Sequence, residues 1–404
     1  MIIGKAELEI EPHHINIGPD HIAVGINDSV WYYRWRPMGA NGDITGQSHI
    51  QLIAKRDYMG NVKKVAMNET WAAAVVDGQV LVHELENDVD QMRKFPHNKN
   101  QETPIVNAAM AGDFLIMIDS TGKLKYYLID DNSTICEHKS QNPIVKVFPN
   151  LSGTKCICMD NTGHGYLYNP IDDTMLFVPN FSAQTNQVLW DIDDPELFVT
   201  VDNEKMQTYQ YVHVSLEGSQ IIHLPEYLKL DDVEKTKAGT VTFVDRDLKP
   251  LILKGGFVYS HARSDGIRGQ YLQTHSYLNS WRGSSDSDEG HLRYFLQNLA
   301  LCKFQNCIAV SKCSVKHSLA FFECLGKQCL KYIDLNMAET AFQMCKAVGM
   351  VFSIQAIKHE TEKYILMGHV NSILFKHDAA QECFMKSSKP ELALEMRMDL
   401  QDWF

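Results

Sequence analysis

Short apolar runs rich in Val, Ile, Tyr and Trp recur from Met1 to about Tyr277, each interrupted by a cluster of Gly, Asn or Asp. That alternation predicts antiparallel β-structure. The hydrophobic period changes near residue 290, and from Leu292 to Phe404 helical stripes take over. The strand-like part repeats one unit: an apolar strand, a turn cluster, then an aromatic-bearing strand. The strand pairs are Ile22–Val24 with Val30–Trp35, Ala72–Val76 with Gln79–Leu85, and Phe114–Ile118 with Lys123–Ile129. They continue with Lys155–Met159 and Tyr166–Asn169, Leu197–Val201 and Met206–Val212, and Leu251–Leu253 with Phe257–Ser260.

Successive units start 50, 42, 41, 42 and 54 residues apart. A WD-type β-propeller blade takes about 40–45 residues, so the three central intervals fit and the outer two predict insertions. The period has a physical cause, because a four-stranded sheet cannot bury both faces alone while neighbours in a ring bury each other's. The Gly-His and Trp-Asp dipeptides of that class do not recur from unit to unit: among residues 1–280 they occur only as Gly163-His164 and Trp190-Asp191, and Asp191 reads as the context of a loop. Alternating strands with frequent turns also fit a β-sandwich pair or a β-solenoid.

Two helical segments carry one pattern at identical offsets: Phe322, Leu325, Gly326, Cys329, Ala338, Phe342, Cys345, and then Tyr364, Met367, Gly368, Asn371, Ala380, Phe384, Ser387. This is the spacing of a tetratricopeptide-type helix pair, in which the Gly and the Ala are expected where the two backbones approach most closely. The recurrence after 42 residues exceeds the usual ~34. Leu392 stands where a proline is usual, and an extra segment from Met350 to Ile357 accounts for the longer period. Ser388 with Glu391 predicts a capping box, with Pro390 in the first turn of a last helix. That helix carries Leu392, Met396, Leu400, Trp403 and Phe404 as an apolar stripe that needs a further helix to cover it, an expectation that the sequence is part of a longer array. The predicted architecture is therefore a β-propeller over residues 1–280, a polar acidic linker over 281–290, and the start of an α-solenoid over 291–404.

Composition changes this picture little: 45% hydrophobic and 22% charged residues over 404 positions are ordinary for globular domains. A formal charge of -12, with no basic run beyond pairs such as Lys63 and Lys64, speaks against nucleic acid as a partner. No apolar stretch reaches the length of a transmembrane helix, and Met1, Ile2 and Ile3 lead into charged residues without a signal-peptide core. The ten cysteines read as reduced thiols, seven of them in the helical third.

The sequence offers no catalytic, cofactor-binding or metal-binding residue to nominate. Cys302, Cys307, Cys313 and His317 lack the tight paired spacing of zinc sites, and His13 and His14 lack a third ligand. The acid pairs Asp130/Asp131, Asp172/Asp173, Asp193/Asp194 and Asp231/Asp232 fall where Asp is ordinary turn chemistry. Gly163, His164 and Gly165 precede a strand and not the helix of a dinucleotide loop, while Gly122 with Lys123 and Gly326 with Lys327 lack the rest of a P-loop. Ser285 followed by Asp288 fits an acidophilic kinase site, against the simpler reading of a solvated loop. A chain of this kind is expected to bind and scaffold, with an enzyme as the competing class.

Particular wording resembles one family. Val348, Gly349, Met350 and Val351, and the ending Ala393 to Trp403, are similar to the first solenoid repeats of a WD-repeat subunit of intraflagellar transport complex A. Ala23 to Asn27 leading to Trp31 and Tyr33, then Gly165 to Pro170, then Val188 to Trp190, resemble that subunit's second propeller in the same order. The resemblance implies a non-catalytic, cofactor-free scaffold or adaptor in retrograde ciliary transport, cilium assembly and entry of membrane receptors. It implies the other complex A subunits as partners, with dynein-2 and ciliary membrane-protein cargo reached indirectly, at the axoneme, basal body and cytoplasm. A vesicle-coat scaffold of the same architecture is the alternative.

Overall fold

The computed structural model describes residues 11–18, 20–35, 50–86, 92–96, 103–224, 242–243, 248–262, 266–275, 288–314 and 316–402. The chain divides into two compact units, residues 1–188 and 189–404.

The first unit is built of four antiparallel sheets, each a four-stranded meander. They comprise β1 (His14–Ile17), β2 (His21–Ile26), β3 (Ser29–Trp35) and β4 (Ile50–Asp57); β5 (Val62–Met67), β6 (Trp71–Val76), β7 (Gln79–Glu84) and β8 (Arg93–Phe95); β9 (Ile105–Ala111), β10 (Phe114–Asp119), β11 (Leu124–Leu128) and β12 (Ser133–His138); and β13 (Ile144–Pro149), β14 (Cys156–Asp160), β15 (Gly165–Asn169) and β16 (Thr174–Phe177). In each of these four sheets the strand pair anticipated from the sequence is the central pair. The outer strands escaped notice because solvent takes one or both of their faces: β12 and β16 bury no residue, whereas all five residues of β14 are buried.

Burial of both faces follows from the period-2 geometry of a strand between two neighbours. Ala72, Ala74 and Val76 of β6 pack towards Ala23, Val30 and Tyr32 of the preceding sheet, while Ala73 and Val75 pack towards Leu115 and Met117 of the following one. In β10 the alternation repeats, with Ile116 and Ile118 turned to Ile144, Val147 and Cys156. Leu115 and Ile116 are wholly buried on opposite faces, each contributing about 1.5–3 kcal/mol. The turns between central strands stitch one sheet to the next: Asn27 O accepts from Val62 N at 2.7 Å, Gly78 O from Ile105 N at 2.8 Å and Gly122 O from Ile144 N at 3.2 Å. Gly122 has φ +80° and approaches so closely that a Cβ there would lie 2.7 Å from Ile144 N, so both its torsion and its surroundings require glycine.

In the second unit β17 (Gln187–Trp190), β18 (Leu197–Val201), β19 (Lys205–Val212) and β20 (Gln220–His223) form the fifth sheet, with β21 (Thr242–Phe243) paired to β19. A sixth sheet contains β22 (Leu248–Lys254), β23 (Phe257–Ala262) and β24 (Gly266–Tyr271). Among the described residues eight α-helices follow: α1 (Asp288–Ala300), α2 (Phe304–Cys313), α3 (Ser318–Lys331), α4 (Leu335–Met344), α5 (Val348–Ile357), α6 (Lys363–Ile373), α7 (His377–Met385) and α8 (Glu391–Asp399). The helices do not simply trail from the sheets. Leu197, Val212 and Ile222 of the fifth sheet, with Leu224 just after it, share a core with Ala300 and Leu301, and Leu216 N donates to Lys331 O at 2.9 Å.

Three details differ from expectation. The segment Met350–Ile357 is nearly all of a helix, α5, which buries Ile354 and Ile357. The capping box does not form: Ser388 turns its N–H and hydroxyl to Glu362 instead, because a tertiary acceptor outcompetes the local one. Leu392 and Met396 are already covered, packing with Ala380, Phe384 and Ala393. Leu400 is exposed, and Trp403 and Phe404 lie outside the described residues.

Candidate functional site

The polar groups considered from sequence resolve into structural roles when placed in the fold. The β10–β11 and β14–β15 turns share the sequence Asp, any, Thr, Gly at 119–122 and 160–163, one blade period apart. The Asp119 carboxylate accepts from Thr121 N and Lys123 N at 2.9 and 3.0 Å, and from the hydroxyls of Thr121 and Thr103. Asp160 repeats the arrangement with Thr162 N, His164 N, the Thr162 hydroxyl and Asn142 Nδ2. Burial raises both carboxyls, but these donors outweigh it and hold them below the ordinary range. The stretch Gly163 to Gly165 is thus the end of a hydrogen-bonded turn.

Asp191 likewise accepts four hydrogen bonds, all of them from backbone N–H groups. It is buried, and its Oδ1 accepts from Asp193 N at 2.8 Å, Asp194 N at 3.2 Å and Gly255 N at 2.9 Å while Oδ2 accepts from Gly256 N at 2.7 Å. Gly255 and Gly256 both have positive φ, +56° and +74°, which turns their N–H groups towards the carboxylate. One side chain thereby joins the end of β17 to the β22–β23 turn. The only advance signal was the pairing of Trp190–Asp191 with a Gly-Gly turn 64 residues later.

A buried chain of hydrogen bonds runs through the first two sheets: Tyr32 OH lies 2.6 Å from Tyr58 OH, which lies 2.7 Å from His83 Nε2, while His83 Nδ1 is 2.9 Å from Glu84 O. A carbonyl can only accept, so Nδ1 carries the proton and Nε2 accepts from Tyr58, which accepts from Tyr32. Burial lowers the His83 imidazole from 6.5 to about 4. The fold favours the neutral ring, so the unfolded chain binds the extra proton between these values. Stability is complete above pH 6.5 and declines as pH falls towards 4. His275, buried and lowered to about 3, adds to the same trend. Urea titrations across this window should show a shallower pH dependence for His83→Gln, which keeps an acceptor for Tyr58; an unchanged slope would assign the trend to other groups.

The remaining acids, histidines and thiols are dispersed. Asp130 accepts from Trp71 Nε1, Asp172 from Asn169, and Asp173 from Tyr168 while pairing with His138 at 2.8 Å. Asp194 accepts from Glu196 N, and burial raises its carboxyl. His14 opens β1, and Lys327 pairs with Glu323 on the surface of α3. Cys307 is buried within α2, Cys313 is exposed at its end, and the His317 ring stacks on Phe321. Burial pushes the Cys302 thiol up to about 12 and Cys307 higher still, which disfavours thiolate chemistry. Among the described residues no three His, Cys, Asp or Glu side chains converge as a metal-holding group. Asp231, Asp232 and Ser285 lie outside the described residues. A surface depression of about 370 Å³ beside α7 and α8 is lined by Asp378, Lys386 and Arg397 among others, and Arg397 is paired with Asp378 and Asp402.

The helices form regular hairpins. Gly326 lies against the ring of Phe342, where a Cβ would be 2.7 Å from Cε2, and Gly368 lies against Phe384, with 2.6 Å to Cδ1. The void left by each glycine is filled by an aromatic ring; the equivalent alanines, Ala338 and Ala380, are fully buried on the same helices as those rings. A third hairpin, α1–α2, precedes these two. Lys303 N donates to Asn298 O, Asp334 N to Cys329 O and Lys376 N to Asn371 O, each at 2.9 Å, which sets the three hairpins in register. In that register Phe295 occupies the glycine position and Ser311 the phenylalanine position. Large and small residues have exchanged places, so the repeat was invisible to a search for Gly and Ala.

The WDR19 second β-propeller family model matches residues 3–275, which include every strand described. The chain belongs to that family. Its six sheets are the blades of the propeller, and the helices that follow form an α-solenoid. WD repeat-containing protein 19 of Homo sapiens and of Mus musculus are each 28% identical over 405 residues, covering 98% of this chain. WD repeat-containing protein dyf-2 of Caenorhabditis elegans is 22% identical over 416 residues, again covering 98%. The chain spans 28% of the length of these relatives. Among the described residues no helix is long and apolar enough to cross a membrane.

Proposed function

We propose that this chain is part of a non-catalytic scaffold subunit of intraflagellar transport complex A, serving retrograde transport, cilium assembly and the ciliary entry of membrane receptors. The observation that carries the reading is similarity to the WD repeat-containing protein 19 and dyf-2 relatives over 98% of the chain, across both sheets and helices. The use of Asp119, Asp160, Asp191 and His83 for internal hydrogen bonding supports it, since these groups hold backbone in place. In this reading residues 1–280 are the propeller, 281–290 connect it, and 291–404 begin the solenoid. The partners are other complex A subunits, with dynein-2 and membrane cargo engaged indirectly.

The protein, tagged at its chromosomal locus in ciliated cells, should co-purify with the other complex A subunits. Its removal should leave transport material at ciliary tips and keep receptors out of cilia. Normal cilia after clean removal, with the tagged protein on Golgi or endosomal membranes, would replace this reading by that of a vesicle-coat scaffold.

A further inference from the structure

The first strands of the four sheets in residues 14–188 are neighbours, and their third positions form one polar row. Asn16 Nδ2 donates to Val65 O at 2.6 Å, Lys64 Nζ to Asn107 Oδ1 at 2.9 Å, Asn107 Nδ2 to Val145 O at 3.4 Å, and Lys146 Nζ to Thr185 O at 3.4 Å. Each is the edge strand that opens its meander, and consecutive ones contact each other. Although the chain carries 50 acidic residues against 38 Lys and Arg, β1, β5, β9 and β13 contain no Asp or Glu. Among the described residues Lys64 and Lys146 have only neutral oxygen partners, and burial lowers the Lys64 amine. The adjoining second positions are exposed: Ile15, Lys63, Val106 and Val145. The acids nearest these strands in sequence lie outside them: Glu11, Asp57 and Glu137 come before β1, β5 and β13, and Asp20, Glu69 and Asp113 lie in the turns after β1, β5 and β9.

We propose that this row of first strands binds an acidic segment of a partner polypeptide, with Asp or Glu alternating with aliphatic side chains. Charge complementarity selects the acids: carboxylates would supply Lys63, Lys64 and Lys146 with the counter-charge their own strands lack. The exposed Ile15, Val106 and Val145 select a peptide over a free phosphate, which would neutralise the lysines but leave the apolar side chains in water. The inference does not rest on the complex proposed above.

The test is fluorescence anisotropy of a labelled Glu-Leu repeat peptide titrated with the full chain, beside its Gln-Leu counterpart. The Glu-Leu peptide should bind, and added NaCl should weaken it. Binding should be about tenfold weaker for Lys64→Met/Lys146→Met. Lys63→Glu changes an exposed side chain and should weaken binding similarly, so it decides the matter if the buried double variant fails to fold. Lys312→Glu, on α2, should bind as the unchanged protein does. Equal binding of the Gln-Leu peptide, indifference to Lys63→Glu, or displacement of the peptide by inorganic phosphate or a DNA oligonucleotide at lower concentration than by unlabelled peptide would overturn the proposal.

Discussion

Asp191→Ala is expected to destabilise the unit formed by residues 189–404 by about 3–5 kcal/mol, since a buried charged acceptor serving several N–H groups is lost at once. The four N–H groups that it satisfies belong to Asp193, Asp194, Gly255 and Gly256. Asp191 and Gly256 are both buried, so removing the carboxylate leaves the Gly256 N–H without its acceptor inside the fold and unties the turn at Asp193 and Asp194 from Gly255. Asp191→Asn retains one acceptor oxygen and should lose about half as much. Urea denaturation followed by tryptophan fluorescence reads the effect, because Trp190 is the preceding residue and is buried. A loss under about 1 kcal/mol for the alanine variant would mean that water can replace the carboxylate, contrary to the burial of this site.

Gly368→Leu is expected to cost about 1–3 kcal/mol, the usual range for overpacking a close-packed interior. The better helix propensity of leucine offsets about 1 kcal/mol of a larger steric cost. The first added carbon would lie 2.6 Å from Phe384 Cδ1, and that ring is itself held by Ala380, Ala393 and Met396, so it has no vacant space to enter. The coupling gives the test its specificity. Phe384→Leu should relieve part of the penalty in the Gly368→Leu background while being destabilising alone, and a double-mutant cycle with no interaction energy would show that the two helices do not meet at these residues.

The central strands were legible because each alternates apolar residues between two covered faces and ends at a turn residue, as β6 and β10 do. Their partners at the sheet edges were not, since β12 and β16 bury nothing and their sequences answer to solvent. The hairpins built on Gly326 and Gly368 were found by spacing. The α1–α2 hairpin was missed because Phe295 and Ser311 reverse the sizes that the pattern searches for, and packing conserves the fit between facing residues more than their order. Ser388 illustrates a further limit, as its capping preference lost to Glu362, an acceptor 26 residues away in sequence.

Local chemistry therefore determined the central strands, the helix segments and the backbone hydrogen bonds of the turns at Asp119 and Asp160, which join residues within a few positions of one another, and the blade period followed from their recurrence. Tertiary structure alone decided that Asp191 joins two sheets, that Tyr32, Tyr58 and His83 share one buried hydrogen-bond chain, and that Leu216 enters the helical core. It also brought Asn16, Lys64, Asn107 and Lys146 into a single row. These groups stand tens of residues apart, and a hydrogen-bonding side chain carries no record in its neighbours of which distant partner the folded chain will bring to it.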